Sequence, residues 1–444
     1  EAARQQALWN ARLPDRFPDV IVQANDEQEA VAAVRMARRE DLRIAVRSGG
    51  HSWSGNHIRD GGLLLDLSRL NQVSIDEAAK EAVAGPGCRG DVFASLLASR
   101  RLFFPTGHCK GVCIGGYLLQ GGFGWHGRAL GPACESILAV DVITADGEIV
   151  HASPEENPDL YWAARGAGPG FFGAVIRFHL QLYDRPPVIG FAAQTFRMDW
   201  LEKVFGWAHA IGPDVPGSVE LQLLMCHDPP GVRGPGIIVF APVFAESIRQ
   251  ANRDVSFLTD GPIRWLAAHR LPFIPCGQAL MYRGVMQHYP DNHRYAVDNM
   301  WTSASFEALL PGLRRIADTL PPAPSHVLWM NWAPPPVRPA MAFSMEDDIY
   351  LALYAVWKNP WDDGRFASWP VDRMREMEEL ATGCQLADEN LGEHPARFVS
   401  DAHLARLDAL RARYDPETRF FPWMGRPGDS PWPATDTLAF ASQS

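Results

Sequence analysis

The segment from Thr106 to Gly127, "TGHCKGVCIGGYLLQGGFGWHG", places two thiols, Cys109 and Cys113, four residues apart and follows Cys109 with seven glycines. Four chemistries would use cysteines in that setting. The pair could close a disulfide, ligate zinc together with His108 and His126, cycle as a C-x-x-x-C redox couple, or supply one sulfur that holds a large flat group. Zinc asks for a closed tetrahedral set, and no second paired module supplies one. A redox couple would want a thioredoxin-type context, which is missing. Two ordinary buried cysteines remain the plain alternative.

A second stretch, "VRSGGHSWSG" (46–55), ends a strand at Val46 and then presents successive backbone N–H groups at Ser48, Gly49 and Gly50. Such a turn cradles a pyrophosphate, with His51 placed to reach past the phosphates toward whatever they carry. A tight turn with a surface histidine is the bland reading. "GFGWHG" (122–127) and "GPGFFG" (168–173) both fit G-x-G-x-x-G, but a dinucleotide fingerprint must follow a strand and open a helix. The first has no amphipathic helix behind it, and the second runs straight into a strand. A third cluster, "MYRGVMQHYPDNHRYAVDNMWTS" (281–303), gathers Tyr282, His288, Tyr289, His293, Tyr295 and Trp301. Strand alternation would set Tyr282 and Arg283 on opposite faces. These residues line a pocket with a tyrosine or histidine base, or form a cross-strand core with a polar rim, and the core reading takes precedence.

The elements that must carry these residues divide in two. Over the first part, "DVIVQA" (19–24), "LRIAVRSGG" and "GGLLLDLSRL" read as strands. "NDEQEAVAAVRMARRE" reads as a helix capped by Asn25 with Gln28 three residues on, and "DVFASLLASR" (91–100) as a second helix. "LAVDVITADGEIVHA" (138–152) is a hairpin with an Asp-Gly turn, and "GAVIRFHLQLY" (173–183) a closing strand. After "DRPPV" (184–188) longer strands appear at 218–226, 236–244 and 348–357, with helices at 306–320 and 372–383 between them. A last helix covers 401–416. This pattern reads as two α+β units, the second a mostly antiparallel sheet with helices on one face.

Composition narrows the partners. The chain has 444 residues, 47% of them apolar, enough for two cores, and a net charge of −11 without a run of Lys or Arg. That argues against nucleic acid or an anionic membrane as the main partner. No stretch approaches the ~20 apolar residues of a membrane span, and "EAARQQALWNARLPDRF" lacks the apolar centre of a signal peptide. Seven cysteines, odd in number and irregularly spaced, argue for a reducing compartment, hence a cytoplasmic protein. Fifteen tryptophans must fill cores or line a ligand cavity.

Taken together, "RSGGHSWSG", "TGHCKGVCIGGYLLQGGFGWHGRALGPACESILAVDVITADGEIV", "NPDLYWAARGAGPGFFGAVIRF" and, more weakly, "RYDPETRFF" resemble the vanillyl-alcohol-oxidase superfamily of FAD-linked oxidoreductases, in particular the berberine-bridge-enzyme-like branch. The resemblance covers nearly the whole chain. It implies an α+β fold with a PCMH-type FAD-binding domain (1–185), a second α+β substrate domain (186–395) whose mostly antiparallel sheet is covered by helices, and a C-terminal segment (396–444) that returns to the FAD domain. It implies bicovalent FAD, joined at its 8α carbon to His51 and at C6 to Cys109. Arg47, Ser48, Gly49, Gly50, Ser52, Thr106, Gly107, Val112, Gly115, Gly116, Gly121, Gly122, Gly124, Val140, Ile176 and Phe421 are the further cofactor contacts it implies, with no metal. Glycines would let the backbone lie against the flavin and its diphosphate, where a Cβ would collide. Lys110-Gly111 replaces the family's Pro-Thr and Cys113 replaces a glycine, so Cys113 competes with Cys109 for the sulfur bond.

The implied reaction removes a hydride from a small or medium alcohol, amine or aromatic substrate, with molecular oxygen as the second partner and hydrogen peroxide as product. Val112, at the position that gates oxygen in this branch, points to an oxidase. A dehydrogenase with another acceptor and a turnover-deficient flavin-binding protein are the alternatives. The tyrosine that many carbohydrate-oxidising relatives carry in G-x-Y-x-N-Y is Gln385 in "GCQLADEN" (383–390), which counts against a sugar. Asp388 and Glu389 stand nearby, and Tyr117, Asp388 and Tyr282 are the catalytic candidates. A monomer and a homodimer are equally expected.

Overall fold

A computed structural model describes residues 2–426; the remainder of the expected 396–444 segment lies outside the described residues. Three short parallel strands come first. Leu63–Asp66 lies between Val20–Gln23 and Ile44–Arg47. The connecting helix, Glu27–Arg39, buries Ala30, Val34 and Ala37 against Ile44, Leu63 and Leu65. Its cap sits one residue later than Asn25. Asp26 Oδ1 accepts from the Glu29 amide at 2.8 Å, while Glu29 Oε2 accepts from the Asn25 amide at 2.8 Å. The charged carboxylate is the better acceptor at a helix N-terminus, and the box closes on Glu29 instead of Gln28.

A five-stranded antiparallel sheet follows, in the order Val73–Asp76, Glu81–Ala84, Ala174–Gln181, Ile137–Ile143, Ile149–Ala152. The last two strands form the expected hairpin, with Gly147 at φ +75° in the turn. One face of this sheet packs Val140, Val142, Phe178 and Leu180 into the largest core of this half of the chain. The Asp401–Tyr414 helix lies beside the Pro158–Ala164 helix, where Arg406 and Arg413 both pair with Asp159. Beyond it Phe420 bridges to Ile44, and the Phe421 amide donates to the Ile44 carbonyl at 2.9 Å.

The remaining sheet has seven strands, every neighbouring pair antiparallel, in the order His269–Pro275, Val188–Arg197, Pro235–Ala245, Leu221–His227, His326–Asn331, Ile349–Trp357, Arg294–Thr302. Side chains alternate between its faces. Leu223, Met225, Val327, Trp329, Leu351 and Leu353 face the helices Leu201–Ile211, Phe306–Asp318 and Trp369–Arg375. Gln222, Leu224, Leu328, Met330, Tyr350 and Tyr354 occupy the alternate positions and face the first half of the chain.

One sequence expectation fails locally. Tyr282 is not on a strand: Gln278–Val285 is a helix that buries Gln278, Met281 and Tyr282 at i, i+3 and i+4, and the strand begins only at Arg294. The helical spacing was the stronger pattern in that stretch. Among the described residues no helix is long and apolar enough to cross a membrane.

Two buried histidines make the fold acid-sensitive. His57 Nε2 donates to the Ala7 carbonyl at 2.9 Å, and His326 stacks on Tyr354 at 4.6 Å. Burial lowers both to about 3 from an ordinary value of 6.5. The unfolded chain therefore takes up these protons first as pH falls, so stability declines from about 6.5 down to about 3 and no further below it. Urea midpoints followed across that window should show this decline, and His57→Gln should make it shallower.

Candidate active site

Between the seven-stranded sheet and the glycine-rich loops lies a cavity of about 660 Å3, joined through Val46, Ser48, Gly116 and Gln120 to a smaller one of about 100 Å3. The loop after Ile44–Arg47 forms one wall of the larger cavity. Arg47 anchors it from below: the guanidinium pairs with buried Asp66 at 2.7 Å and donates to the Ala7 carbonyl at 2.8 Å. Gly50 has φ +72°, and a Cβ there would come within 2.3 Å of that same carbonyl, so only glycine fits. Among the described residues, the amides of Gly49, Gly50 and His51 donate to no other group. Ser48 Oγ accepts from the Gly116 amide at 3.0 Å, while Ser52 Oγ accepts from the Asn56 amide at 3.1 Å.

His51 stacks on Trp9 with ring centroids 5.0 Å apart. Burial first, then Arg89 and Arg47, lower its pKa to about 4, so the imidazole is neutral near neutral pH with a free nitrogen lone pair. A Cβ on Gly111 would lie 2.8 Å from His51 Nε2. Cys109 lines the cavity and packs in an aromatic cluster with Trp9, Trp53, Tyr289 and Tyr295. Burial, reinforced by Asp388, pushes its thiol well up. Cys113 also touches the cavity, but its Sγ donates to the Gly87 carbonyl at 3.2 Å and lies directly under Gly49. All seven cysteines are free. The zinc quartet does not assemble, because His108 turns to Glu220 and His126 stacks on Phe244.

The other expected cofactor residues separate into two groups. Gly107, Val112 and Gly116 line the larger cavity; Gly115, Gly116 and Phe421 line the smaller one. Thr106 instead shares a hydrogen bond with the Tyr282 hydroxyl at 2.9 Å. A Cβ on Gly121 would strike Phe343, one on Gly122 Ala133 and the Tyr117 ring, and one on Gly124 the Tyr117 hydroxyl. These three glycines make room for protein rings. Val140 and Ile176 are core residues on the five-stranded sheet.

Of the catalytic candidates, only Asp388 presents its polar group within the cavity wall. Trp53 Nε1 donates to its Oδ1 at 2.5 Å; the Tyr354 hydroxyl donates to its Oδ2 at 2.7 Å, and the Tyr350 hydroxyl donates to the same oxygen. Burial, then Asp388 itself, pushes both phenols well above the usual range, with Tyr289 adding to both. Tyr117 borders the cavity, but its hydroxyl donates to the Pro105 carbonyl at 2.5 Å and burial holds it protonated. Tyr282 is buried behind the wall against Thr106 and Trp125. Gln385 lines the cavity and donates to the Gln120 carbonyl at 3.3 Å.

Sequence reasoning missed Trp53, Tyr350 and Tyr354. The two tyrosines stand four apart on one strand and therefore on one face, a signal available in "DIYLALYAVW". It also missed a second polar pole, where His108 Nε2 meets the buried Glu220 carboxylate at 2.9 Å and Gln222 donates to the same oxygen at 2.8 Å. On the sheet Leu328 and Met330 stand between the two poles, and Leu224, Ile238, Phe240 and Leu271 extend the apolar wall beside and beyond Gln222.

A family model described as an FAD binding domain matches residues 18–153. The chain is 34% identical over 424 residues to the FAD-linked oxidoreductase nodO of Hypoxylon pulicicidum, covering 93% of this chain and 92% of that one. Its fold is similar to the BBE-like 1 protein of Physcomitrella patens, with a TM-score of 0.82 at 20% identity, covering 95% and 94% of the two chains. It is equally similar to 6-hydroxy-D-nicotine oxidase from Arthrobacter nicotinovorans, with a TM-score of 0.82 at 23% identity and the same coverage. The site fits such a cofactor: unpaired amides at Gly49, Gly50 and His51 await an anionic acceptor, and a largely apolar cavity adjoins them.

Gly116 and Gly115 differ in what faces them. A Cβ on Gly116 meets only Ser48 Oγ, at 3.8 Å, whereas one on Gly115 would lie 2.7 Å from Pro86 and 2.9 Å from Ser48 Oγ. Gly116→Val should keep the melting temperature of the flavin-free protein yet lose bound flavin at least about tenfold in the absorbance ratio. Gly115→Val should lose both.

Proposed function

Because the chain belongs to the FAD-linked oxidoreductases of the vanillyl-alcohol-oxidase superfamily, berberine-bridge-enzyme-like branch, we propose that it oxidises an alcohol, amine or aromatic compound of small to medium size and largely apolar body, using FAD joined to His51 and Cys109 and molecular oxygen as final acceptor. The observation that carries this reading is the Asp388 carboxylate, held by two tyrosines and one tryptophan within a cavity that also includes His51 and Cys109.

The Gly49–His51 amides would hold the diphosphate, and His51 and Cys109 the ring. FAD held there would supply the hydride acceptor for the substrate carbon. The protein's own part is the accompanying proton. Tyr350 already donates its hydroxyl hydrogen to Asp388 Oδ2. As the substrate O–H or N–H passes its proton to the Tyr350 oxygen, the phenolic proton moves on to Asp388, so the tyrosine ends neutral and the carboxylate protonated. Tyr354 and Trp53 keep the carboxylate oriented through the transfer. The tyrosine on the sheet thus takes the part that Gln385, without an acid–base group, cannot play. The apolar sheet wall of the cavity excludes water and favours a hydrocarbon or aromatic body over a carbohydrate. Val112 in the wall supports oxygen as acceptor through the family resemblance.

Acid precipitation followed by peptide mass mapping tests the attachment. Flavin mass on the peptides carrying His51 and Cys109 is expected; flavin on His51 alone, or on Cys113, would remove the second tether as written. Peroxide release across a panel of alcohols, amines and phenols tests the reaction, and reduced enzyme that reoxidises only with a quinone would make it a dehydrogenase.

With a turned-over substrate in hand, Asp388→Asn should lower kcat about 10²–10⁴-fold at unchanged flavin content. Tyr350→Phe should do the same. Full turnover in both variants would exclude this proton route.

A further inference from the structure

A second cluster lies outside both cavities, on the five-stranded sheet. Asp141 pairs directly across from His151 on one side and from Arg177 on the other. His179 follows Arg177 by two residues and shares its face. His151 Nδ1 lies 2.7 Å from Asp141 Oδ1, and His179 Nε2 lies 3.2 Å from Asp141 Oδ2. All three donor atoms fall within 4.8 Å of one another. The imidazoles meet edge to face, at 87°, so both nitrogens converge on the carboxylate. The Asp141 side chain is only 8% exposed, while His151 and His179 are 40% and 30% exposed. The cluster is therefore open to solvent on the histidine side alone.

We propose that Asp141, His151 and His179 form a binding site for one zinc-class transition-metal ion, with solvent water completing a tetrahedral set. Two imidazoles and one carboxylate on a single face match that class of ion in donor type and number. Magnesium and calcium ask for a shell of oxygens that this cluster lacks.

The surroundings suit a ligating carboxylate. Arg177 Nη1 donates to Asp141 Oδ2 at 2.9 Å, the outer hydrogen bond such ligands commonly carry. The guanidinium charge is answered by Glu27, which accepts from Arg177 Nε at 2.5 Å and from Nη2. Asp141 and Glu27 against Arg177 leave one net negative charge facing the ion. Metal binding needs only that the two imidazoles exchange their hydrogen bonds to Asp141 for bonds to the ion, with Asp141 Oδ1 as third ligand. Three adjacent strands would then be tied at one point, and through Arg177 and Glu27 the Glu27–Arg39 helix with them.

Calorimetric titration of the metal-stripped, flavin-loaded protein with zinc chloride tests this. Binding of one ion is expected, with a melting temperature raised by zinc and unmoved by magnesium. His151→Ala and His179→Gln should each weaken zinc at least about tenfold without changing flavin absorbance, since neither residue borders the cavities. No heat with excess zinc, or unchanged affinity in a folded variant of either histidine, would show that the cluster is only a carboxylate shared by two imidazoles and an arginine.

Discussion

A carboxylate inside a largely apolar cavity must find donors, and the donors Asp388 finds come from both halves of the chain. Trp53 reaches it from the glycine-rich loop side, Tyr350 and Tyr354 from the seven-stranded sheet. Its neighbour Glu389 repeats the arrangement, accepting from Ser54 Oγ at 2.7 Å and Asn56 Nδ2 at 2.9 Å. The backbone leading to them is held by Asn299, whose side-chain Nδ2 donates to the carbonyls of Gln385 and Asp388 at 3.1 and 2.8 Å. Buried charge is expensive when unpaired. The segment 385–389 therefore fixes where the loop after His51 can lie, and with it where His51 and Cys109 stand in the cavity wall.

The glycines around this junction serve two needs. Gly49, Gly107 and Gly116 border the cavities. Gly121, Gly122 and Gly124 lie against Phe343 and the Tyr117 ring, and Gly166, at φ +131°, lets the backbone of Phe343 approach where any Cβ would collide. Wedged rings and bare backbone replace each other along the same seam, so the seam stays dense while the cavity stays open.

Periodicity and turn chemistry made the three parallel strands, the 137–152 hairpin and the long helices legible in the sequence, because each rests on local patterns, while the strands at 73–76, 81–84, 188–197, 269–275 and 326–331 went unread. The turn at 46–51 was legible for the same reason, and the two residues expected to hold the flavin both border the large cavity. What could not be read was set by tertiary contact. Every residue of Ile349–Trp357 is buried, so the spacing of Tyr350 and Tyr354 puts them on one face without telling which face meets the cavity. Val140 and Ile176 are buried without touching either cavity, since a β-branched residue on a strand looks alike wherever its face points. Tyr282 went to a helix, and its hydroxyl was taken by Thr106. The Asp141 cluster joins residues from three strands and left no motif at all.

The bridge between Ile44 and Phe420 has a consequence for biosynthesis. Phe420 and Phe421 wall the smaller cavity, although the Ile44–Arg47 strand that Phe420 bridges is made far earlier. A ribosome releases residues in order, so the smaller cavity has no closed wall until residues 420 and 421 have been made. The three parallel strands can therefore form in a nascent chain well before this wall exists.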